Sequence, residues 1–140
     1  MYIIDSGATH TDEFKDGDTD RLVDEINISS DKDWTDTADR NGHGTPVAAA
    51  VGSKTYGIAK SATLRAVKCE RDGKPDAARL TQALQDIIRR HNTRKKEDNF
   101  KGSIINMSFR LAYSSSVADE LKKAFDAGIS LVACESRSYP

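Results

Sequence analysis

Residues 2–7 read Tyr-Ile-Ile-Asp-Ser-Gly. The stretch joins an apolar run to a carboxylate and then to two small residues, which is typical of a buried β-strand that presents one side chain at its carboxyl end. Asp-Ser-Gly is also a common strand-to-turn sequence. The pattern therefore predicts a strand that ends at Asp5, and it makes Asp5 a candidate functional carboxylate.

A second motif, at residues 41–45, reads Asn-Gly-His-Gly-Thr. The small and apolar residues from Thr45 to Val51 predict a closely packed helix with Pro46 in its first turn. An imidazole near a helix N-terminus meets a positive potential that disfavours its protonated form, and a general base must be neutral. A carboxylate on one ring nitrogen would also fix the tautomer. Asp5 and His43 are therefore the candidate catalytic residues, although a single His is often a helix cap or a core residue.

Strand-like and helix-like segments alternate along the chain. Strands are predicted near residues 2–5, 63–68, 103–108 and 129–134, and helices near 44–52, 77–92 and 115–128. This alternation predicts the α/β class, with a mostly parallel sheet and helices on its faces. The active site of such a sheet lies beyond the carboxyl ends of the strands, where Asp5 and the loop leading to His43 both emerge.

Each of the two later helices is predicted to bury one apolar face. The faces consist of Leu80, Leu84, Ile87, Ile88 and His91 in the first helix, and of Val117, Leu121, Ala124, Phe125 and Gly128 in the second. Ser116 with Asp119 is predicted to cap the second helix.

The composition fits a single domain. The chain has 140 residues, 37% of them hydrophobic, and a net charge of −1. The charge is unevenly distributed, because residues 1–39 carry 3 basic and 12 acidic residues, whereas residues 40–140 carry 18 basic and 10 acidic residues. The two parts should attract each other electrostatically.

The acidic stretch from Asp12 to Asp39 is poor in large apolar residues and is predicted to be a solvated surface loop. Its densest part, residues 16–20, lacks the Asp-x-Asp-x-Asp-Gly pattern that ends in Glu, so no metal site is predicted from it. Basic residues at 89–90 and 94–96 have no aromatic residues between them, and a solvated helix end explains them better than nucleic-acid binding.

The sequence predicts neither a membrane span nor a role for its two cysteines in a disulfide bond or a zinc site. No apolar run approaches the roughly 20 residues of a membrane span. Cys69 and Cys134 allow one disulfide bond, but buried thiols are the expectation, and their spacing fits no zinc motif.

The motifs together resemble the subtilisin-like serine proteases (peptidase S8 family), and most closely the proteinase K-like branch found in fungi. The resemblance rests on residues 2–7 and 41–45, on Val51-Gly-Ser-Lys-Thr-Tyr-Gly-Ile-Ala-Lys60 with Ala66-Val-Lys68, and on Tyr113-Ser-Ser-Ser-Val117. It implies a serine-type endopeptidase that acts on peptides or proteins, with Asp5 as the acid and His43 as the general base of an Asp-His-Ser triad. The resemblance also makes calcium a possible ligand, because family members often bind it through loop carboxylates and carbonyls, but no site is identified here.

The family carries its nucleophile in a Gly-Thr-Ser-Met-Ala segment, which this sequence does not contain. We therefore expect residues 1–140 to be a partial catalytic domain, with the C-terminal part of a subtilisin-like fold missing, and we expect the chain to be inactive alone. The alternative is a non-catalytic truncated fragment or binding module of the α/β class. Full-length relatives are expected to be secreted, whereas no signal peptide is expected in this chain, because Met1 leads straight into the first predicted strand. No oligomeric state is predicted.

Two other positions depart from the family pattern. The family usually has Ser-Leu-Gly-Gly along the substrate groove, whereas this chain has Ser108-Phe-Arg-Leu111. The family's oxyanion asparagine corresponds to Arg137, with Ser136 in place of the preceding glycine.

A receiver-like signalling module is a further alternative, because Asp5 and Lys68 could imitate a phosphoacceptor site. It lacks an acidic pair beside Asp5, and it leaves residues 41–45 unexplained.

Overall fold

The computed structural model describes residues 1–28, 37–71 and 74–134. Within these ranges the chain forms helices α1 (Gly44–Gly52), α2 (Ala77–Arg94) and α3 (Ser115–Asp126), and a 3-10 helix at Asp12–Phe14. The strands are β1 (Tyr2–Asp5), β2 (Lys15–Asp16), β3 (Thr19–Asp20), β4 (Leu22–Asn27), β5 (Leu64–Lys68), β6 (Glu70–Arg71), β7 (Lys74–Pro75), β8 (Ile104–Met107) and β9 (Ser130–Ala133).

The central element is a five-stranded sheet with the order β4-β5-β1-β8-β9. Every neighbouring pair in it is parallel, which confirms the predicted α/β architecture. β1 lies in the middle, where Ile4 pairs with Val67 of β5 on one side and with Met107 of β8 on the other. All four residues of β1 are buried, because a central parallel strand is covered on both faces.

Helices cover both faces of the sheet, as predicted. One core contains Tyr2 and Ile4 of β1 together with the buried apolar residues of α2 and α3. The other contains Ile3 of β1, Ala48 of α1 and Phe14 of the 3-10 helix. The residues of β1 thus alternate between the two cores, with the two-residue period of a strand.

Helix α2 is close to its prediction. Asp76 is the N-cap residue, and its side chain accepts a hydrogen bond of 2.7 Å from the Ala78 amide. Four of the five residues predicted to face the core are buried: Leu80, Leu84, Ile87 and His91. α2 therefore packs on the sheet as an amphipathic helix should.

The acidic stretch contains a strand that the sequence prediction missed. β4 spans Leu22–Asn27 and pairs in parallel with β5 at the edge of the sheet. Leu22 is 2% exposed and Ile26 is 5% exposed, so the expectation of a solvated loop is wrong for this segment. Residues 29–36 of the stretch lie outside the described residues.

Helix α3 differs from its prediction in two details. It begins at Ser115 with Ser114 as the N-cap residue, so the predicted cap at Ser116 and Asp119 is wrong. Ser114 and Ser116 instead share a hydrogen bond of 2.9 Å between their hydroxyl oxygens. Phe125 is 69% exposed, whereas Val117 and Ala124 are buried, so Phe125 lies beside the apolar face and not within it.

The two cysteines do not form a disulfide bond, as expected. Cys69 is buried, but Cys134 is exposed, so the expectation of two buried thiols is wrong for Cys134. None of the helices in the described ranges combines the length and the apolar character needed to cross a membrane.

Candidate active site

Asp5 is the last residue of β1, and its side chain is fully buried. Its backbone carbonyl accepts a hydrogen bond of 3.2 Å from the Cys69 amide, which directly follows β5. Backbone pairing therefore continues up to the residue that carries the carboxylate. As predicted, Asp5 stands on a rigid element at the carboxyl edge of the sheet.

His43 reaches Asp5 from the loop that precedes α1. Its Nδ1 atom lies 2.8 Å from Oδ1 of Asp5, and the Ser6 amide donates to the same oxygen at 2.8 Å. An ionised carboxylate only accepts hydrogen bonds, so a neutral His43 that is paired with it carries its proton on Nδ1 and keeps its lone pair on Nε2. The structure thus brings the two candidate residues together in a geometry that suits a general base, and their catalytic role stays a prediction.

The two side chains differ in exposure. The Asp5 side chain is 0% exposed, whereas that of His43 is 50% exposed. Oδ2 of Asp5 is also buried, and none of the described residues donates a hydrogen bond to it. A buried carboxylate is costly unless it is paired. Contact with His43 is therefore a main compensation for the burial of Asp5.

His43 is the N-cap residue of α1, but its side chain does not cap the helix. The ring is directed to Asp5 instead. Pro46 lies in the first turn of α1, where its missing amide hydrogen costs nothing. The imidazole thus stands at the positive end of the helix, as predicted.

Two glycines let the two sequence motifs touch. Gly7 has a φ of +110°, and a Cβ on it would overlap the carbonyl oxygen of Thr37. A Cβ on Gly44 would overlap the carbonyl oxygen of Gly7 and lie 3.1 Å from Oδ1 of Asp5. Neither position leaves room for a larger residue while the His43 loop packs against the end of β1.

The loop of residues 37–42 is fastened to the sheet before it reaches His43. The Ala8 amide donates to the Thr37 carbonyl at 2.9 Å. Lys68, at the end of β5, donates from Nζ to the Ala38 carbonyl at 2.7 Å. These bonds fix the loop on the same edge of the sheet as Asp5.

Asp39 is a site residue that the sequence analysis did not single out. Its carboxylate accepts hydrogen bonds of 2.8 Å from the amides of Gly42 and Thr45, which lie on either side of His43. It accepts a third, also of 2.8 Å, from the Ser6 hydroxyl. Burial raises the pKa of Asp39, but these hydrogen bonds outweigh burial and hold the pKa below its ordinary value.

An apolar pocket of about 230 Å³ lies between β8, α2 and α3. Its lining includes Phe109 and Leu111, two of the residues that depart from the family's Ser-Leu-Gly-Gly pattern. Ser108 also belongs to this segment, and its hydroxyl accepts a hydrogen bond of 3.0 Å from the Asn106 side chain. Arg137 and Ser136, which the family resemblance assigns to the position of the oxyanion donor, lie outside the described residues.

Within the described ranges, no three His, Cys, Asp or Glu side chains form a group that could hold a metal ion. In the acidic stretch, Nδ1 of His10 lies 2.6 Å from Oδ2 of Asp20. This second His-carboxylate pair is partly exposed on both sides, in contrast to the pair of Asp5 and His43.

Comparisons with known proteins agree with this fold. Residues 2–135 match the peptidase S8 group, described as the subtilase family. The subtilase-type proteinase RRT12 of Saccharomyces cerevisiae is 35% identical over 135 residues, which are 94% of this chain and 26% of that protein. The subtilisin-like serine protease AsES of Sarocladium strictum is 37% identical over 95 residues, which are 67% of this chain and 24% of that protein. A solved structure described as S41 psychrophilic protease matches 99% of this chain and 46% of its own, with 26% identity and a TM-score of 0.73.

The curated relatives are thus about four times as long as the segment that this chain matches. The match nevertheless spans the whole described sheet, the three helices and both sequence motifs. On these grounds the chain belongs to the subtilase family of subtilisin-like serine proteases.

Proposed function

We propose that residues 1–140 form a partial catalytic domain of a serine endopeptidase, in which Asp5 is the acid and His43 the general base of the triad. The contact of 2.8 Å between Oδ1 of Asp5 and Nδ1 of His43 carries the proposal. It combines a fully buried carboxylate with a half-exposed imidazole, so one side of the ring is oriented while the ring still reaches solvent.

In this mechanism Nε2 of His43 takes the proton from a serine hydroxyl as that oxygen attacks the peptide carbonyl. The ring becomes an imidazolium, and the Asp5 carboxylate stabilises that charge through Nδ1–H. His43 then returns the proton to the leaving amine. The substrates are peptides or proteins, and a secreted location is proposed for the full-length protein on the family resemblance alone.

We also propose that residues 1–140 do not catalyse the reaction by themselves. Their sequence has no Gly-Thr-Ser-Met-Ala segment. Without the nucleophile, an enzyme of this type loses about six orders of magnitude in kcat. The chain then supplies the acid and the base, and the serine comes from sequence outside residues 1–140.

A chimera tests these roles. Residues 2–134 would replace the matching segment of an active subtilisin-like relative, and hydrolysis of a peptide amide would be measured. His43→Ala should lower kcat by about six orders of magnitude and Asp5→Asn by about four. His10→Ala is the matched control, because His10 also contacts a carboxylate but is exposed, and it should keep most of the activity.

A chimera in which His43→Ala is as active as the parent would overturn the proposal. A second measurement does not depend on the chimera. The ring 15N chemical shifts of His43 in the chain itself should report an Nδ1–H tautomer that is lost in Asp5→Asn. Incubation with a small phosphodonor, followed by mass measurement, separates the triad from the receiver-like alternative, which predicts a phosphorylated Asp5.

A further inference from the structure

The Ser6 hydroxyl lies between two carboxylates. Its oxygen is 2.8 Å from Oδ1 of Asp39 and 3.2 Å from Oδ1 of Asp5. It also accepts a hydrogen bond of 3.0 Å from the Gly44 amide. A serine hydroxyl has one proton, so it can donate to only one of the two carboxylates at a time.

The distances favour Asp39 as the acceptor. A hydrogen bond from a hydroxyl to a carboxylate is strongest at short range, and 2.8 Å is close to the usual distance whereas 3.2 Å is long. Asp39 is also held in place by the amides of Gly42 and Thr45. The hydroxyl proton therefore points to Asp39 and away from Asp5.

This orientation matters for His43. When the hydroxyl donates to Asp39, Oδ1 of Asp5 accepts from the Ser6 amide and from Nδ1 of His43. If the hydroxyl turned to Asp5, the same oxygen would accept a third hydrogen bond, and its attraction for a protonated His43 would weaken. The direction of the Ser6 hydroxyl proton thus changes the strength of the interaction between Asp5 and His43.

We propose that Asp39 is a positioning residue that acts on His43 through the hydroxyl of Ser6, which it draws away from Asp5. This inference rests on the proposed function, since it gives Asp39 and Ser6 a role in the action of the Asp5 and His43 pair. Asp39 touches neither reacting atoms nor substrate in this role.

Removal of Asp39 would also act on His43 directly. Among the described residues, the charged groups at this edge of the sheet include Asp5 from β1, Asp39 and Arg40 from the loop, and Lys68 from β5. Loss of the negative charge of Asp39 would by itself make a protonated His43 less favourable. The experiment must therefore separate the direct charge effect from the effect through Ser6.

A double-mutant cycle makes that separation. The titration midpoint of His43 would be followed by NMR in the unmodified chain, in Asp39→Asn, in Ser6→Ala and in the double variant. Asp39→Asn should lower the midpoint, and the shift should be about twice as large with the Ser6 hydroxyl present as in the Ser6→Ala background. Ser6→Thr keeps a hydroxyl and should restore the larger shift. Asp16→Asn, on the exposed β2–β3 hairpin, is the charge control and should leave the midpoint unchanged.

Equal shifts in the two backgrounds would overturn the inference, because Asp39 would then act by its charge alone. Ser6→Ala gives a second criterion that does not require Asp39→Asn to fold. It should leave the midpoint unchanged, and a rise would show that the hydroxyl donates to Asp5 in the unmodified chain. Asp5→Asn separates this inference from the proposed function, since an unchanged midpoint there would overturn the Asp5 and His43 pair itself.

Discussion

Gly44 packs so closely on Gly7 that a Cβ atom on Gly44 would overlap the Gly7 carbonyl oxygen. This contact joins the turn after β1 to the first residue of α1. Since His43 immediately precedes Gly44, the position of its imidazole depends on this packing. The geometry of the candidate site therefore depends on the two glycines, Gly7 and Gly44, as well as on the side chains of Asp5 and His43.

Gly44→Ala should both destabilise the chain and separate His43 from Asp5. The added methyl group meets backbone that cannot move without shifting the end of β1, so we expect a loss of about 2–4 kcal/mol in the free energy of unfolding. Urea unfolding would measure the loss, and the His43 ring 15N shifts would report the contact with Asp5.

Gly17→Ala is the control for Gly44→Ala. Gly17 has a φ of +59°, and a Cβ atom added to it would lie in open space. Alanine there should cost about 1–2 kcal/mol of backbone strain and should not overlap any other atom. A Gly44→Ala chain as stable as the Gly17→Ala chain would contradict the close packing.

Asp39 should make the stability of the fold depend on pH in the acid range. Its pKa in the folded chain is lowered below 3.8, because hydrogen bonds from Thr45, Gly42 and Ser6 outweigh the effect of burial. A lowered pKa contributes stability that is fully present above the unfolded value and is lost as the pH falls through the folded value. The stabilising effect of Asp39 should therefore be present at pH 6 and decline below about pH 3.8.

Comparison with Asp39→Asn isolates this contribution. The difference in urea midpoint between the two chains should be larger at pH 6 than at pH 3. The contributions of the other carboxylates to this difference cancel, because both chains contain them. Asp16→Asn, on the exposed β2–β3 hairpin, is the control for removal of a carboxylate charge away from the site. A difference that stays constant between pH 6 and pH 3 would argue against the lowered pKa of Asp39.

Leu22→Ala tests the strand that the sequence analysis missed. Leu22 is 2% exposed in β4, and truncation of a buried leucine costs about 2–5 kcal/mol. A solvated loop, by contrast, would tolerate the change. Urea unfolding distinguishes the buried strand from the solvated loop. Val23→Ala is the control, because Val23 is only half-buried and its truncation should lower the free energy of unfolding by less.

The missed strand shows which sheet elements the sequence could predict. β1 and β8 read as strands because most of their residues are apolar, and in β5 only Arg65 interrupts the apolar residues from Leu64 to Val67. In β4 two acidic residues separate Val23 from Ile26, and the register with β5 shifts between Asp24 and Ile26. That irregularity breaks the two-residue period of the strand, so the sequence pattern of this segment indicates its charge but not its pairing with β5.

Only part of the candidate site could be predicted, because the sequence shows local patterns but not contacts between distant segments. Asp5 and His43 lie in two compact motifs, each with a local pattern that points to chemistry. The bond between Ser6 and Asp39 joins residues 33 positions apart, and neither belongs to a periodic pattern. Only the packing of the loop against the end of β1 reveals it.

The polypeptide of residues 1–140 should not hydrolyse peptide bonds or a peptide ester above the rate in buffer. It has an oriented imidazole but no Gly-Thr-Ser-Met-Ala segment to supply the nucleophile, and loss of that group removes about six orders of magnitude in kcat. A chromogenic peptide ester gives the most sensitive assay, because its leaving group needs little protonation. Turnover that disappears in His43→Ala and persists in His10→Ala would show that this chain supplies a nucleophile of its own, since both histidines contact a carboxylate but only His43 is paired with the buried Asp5.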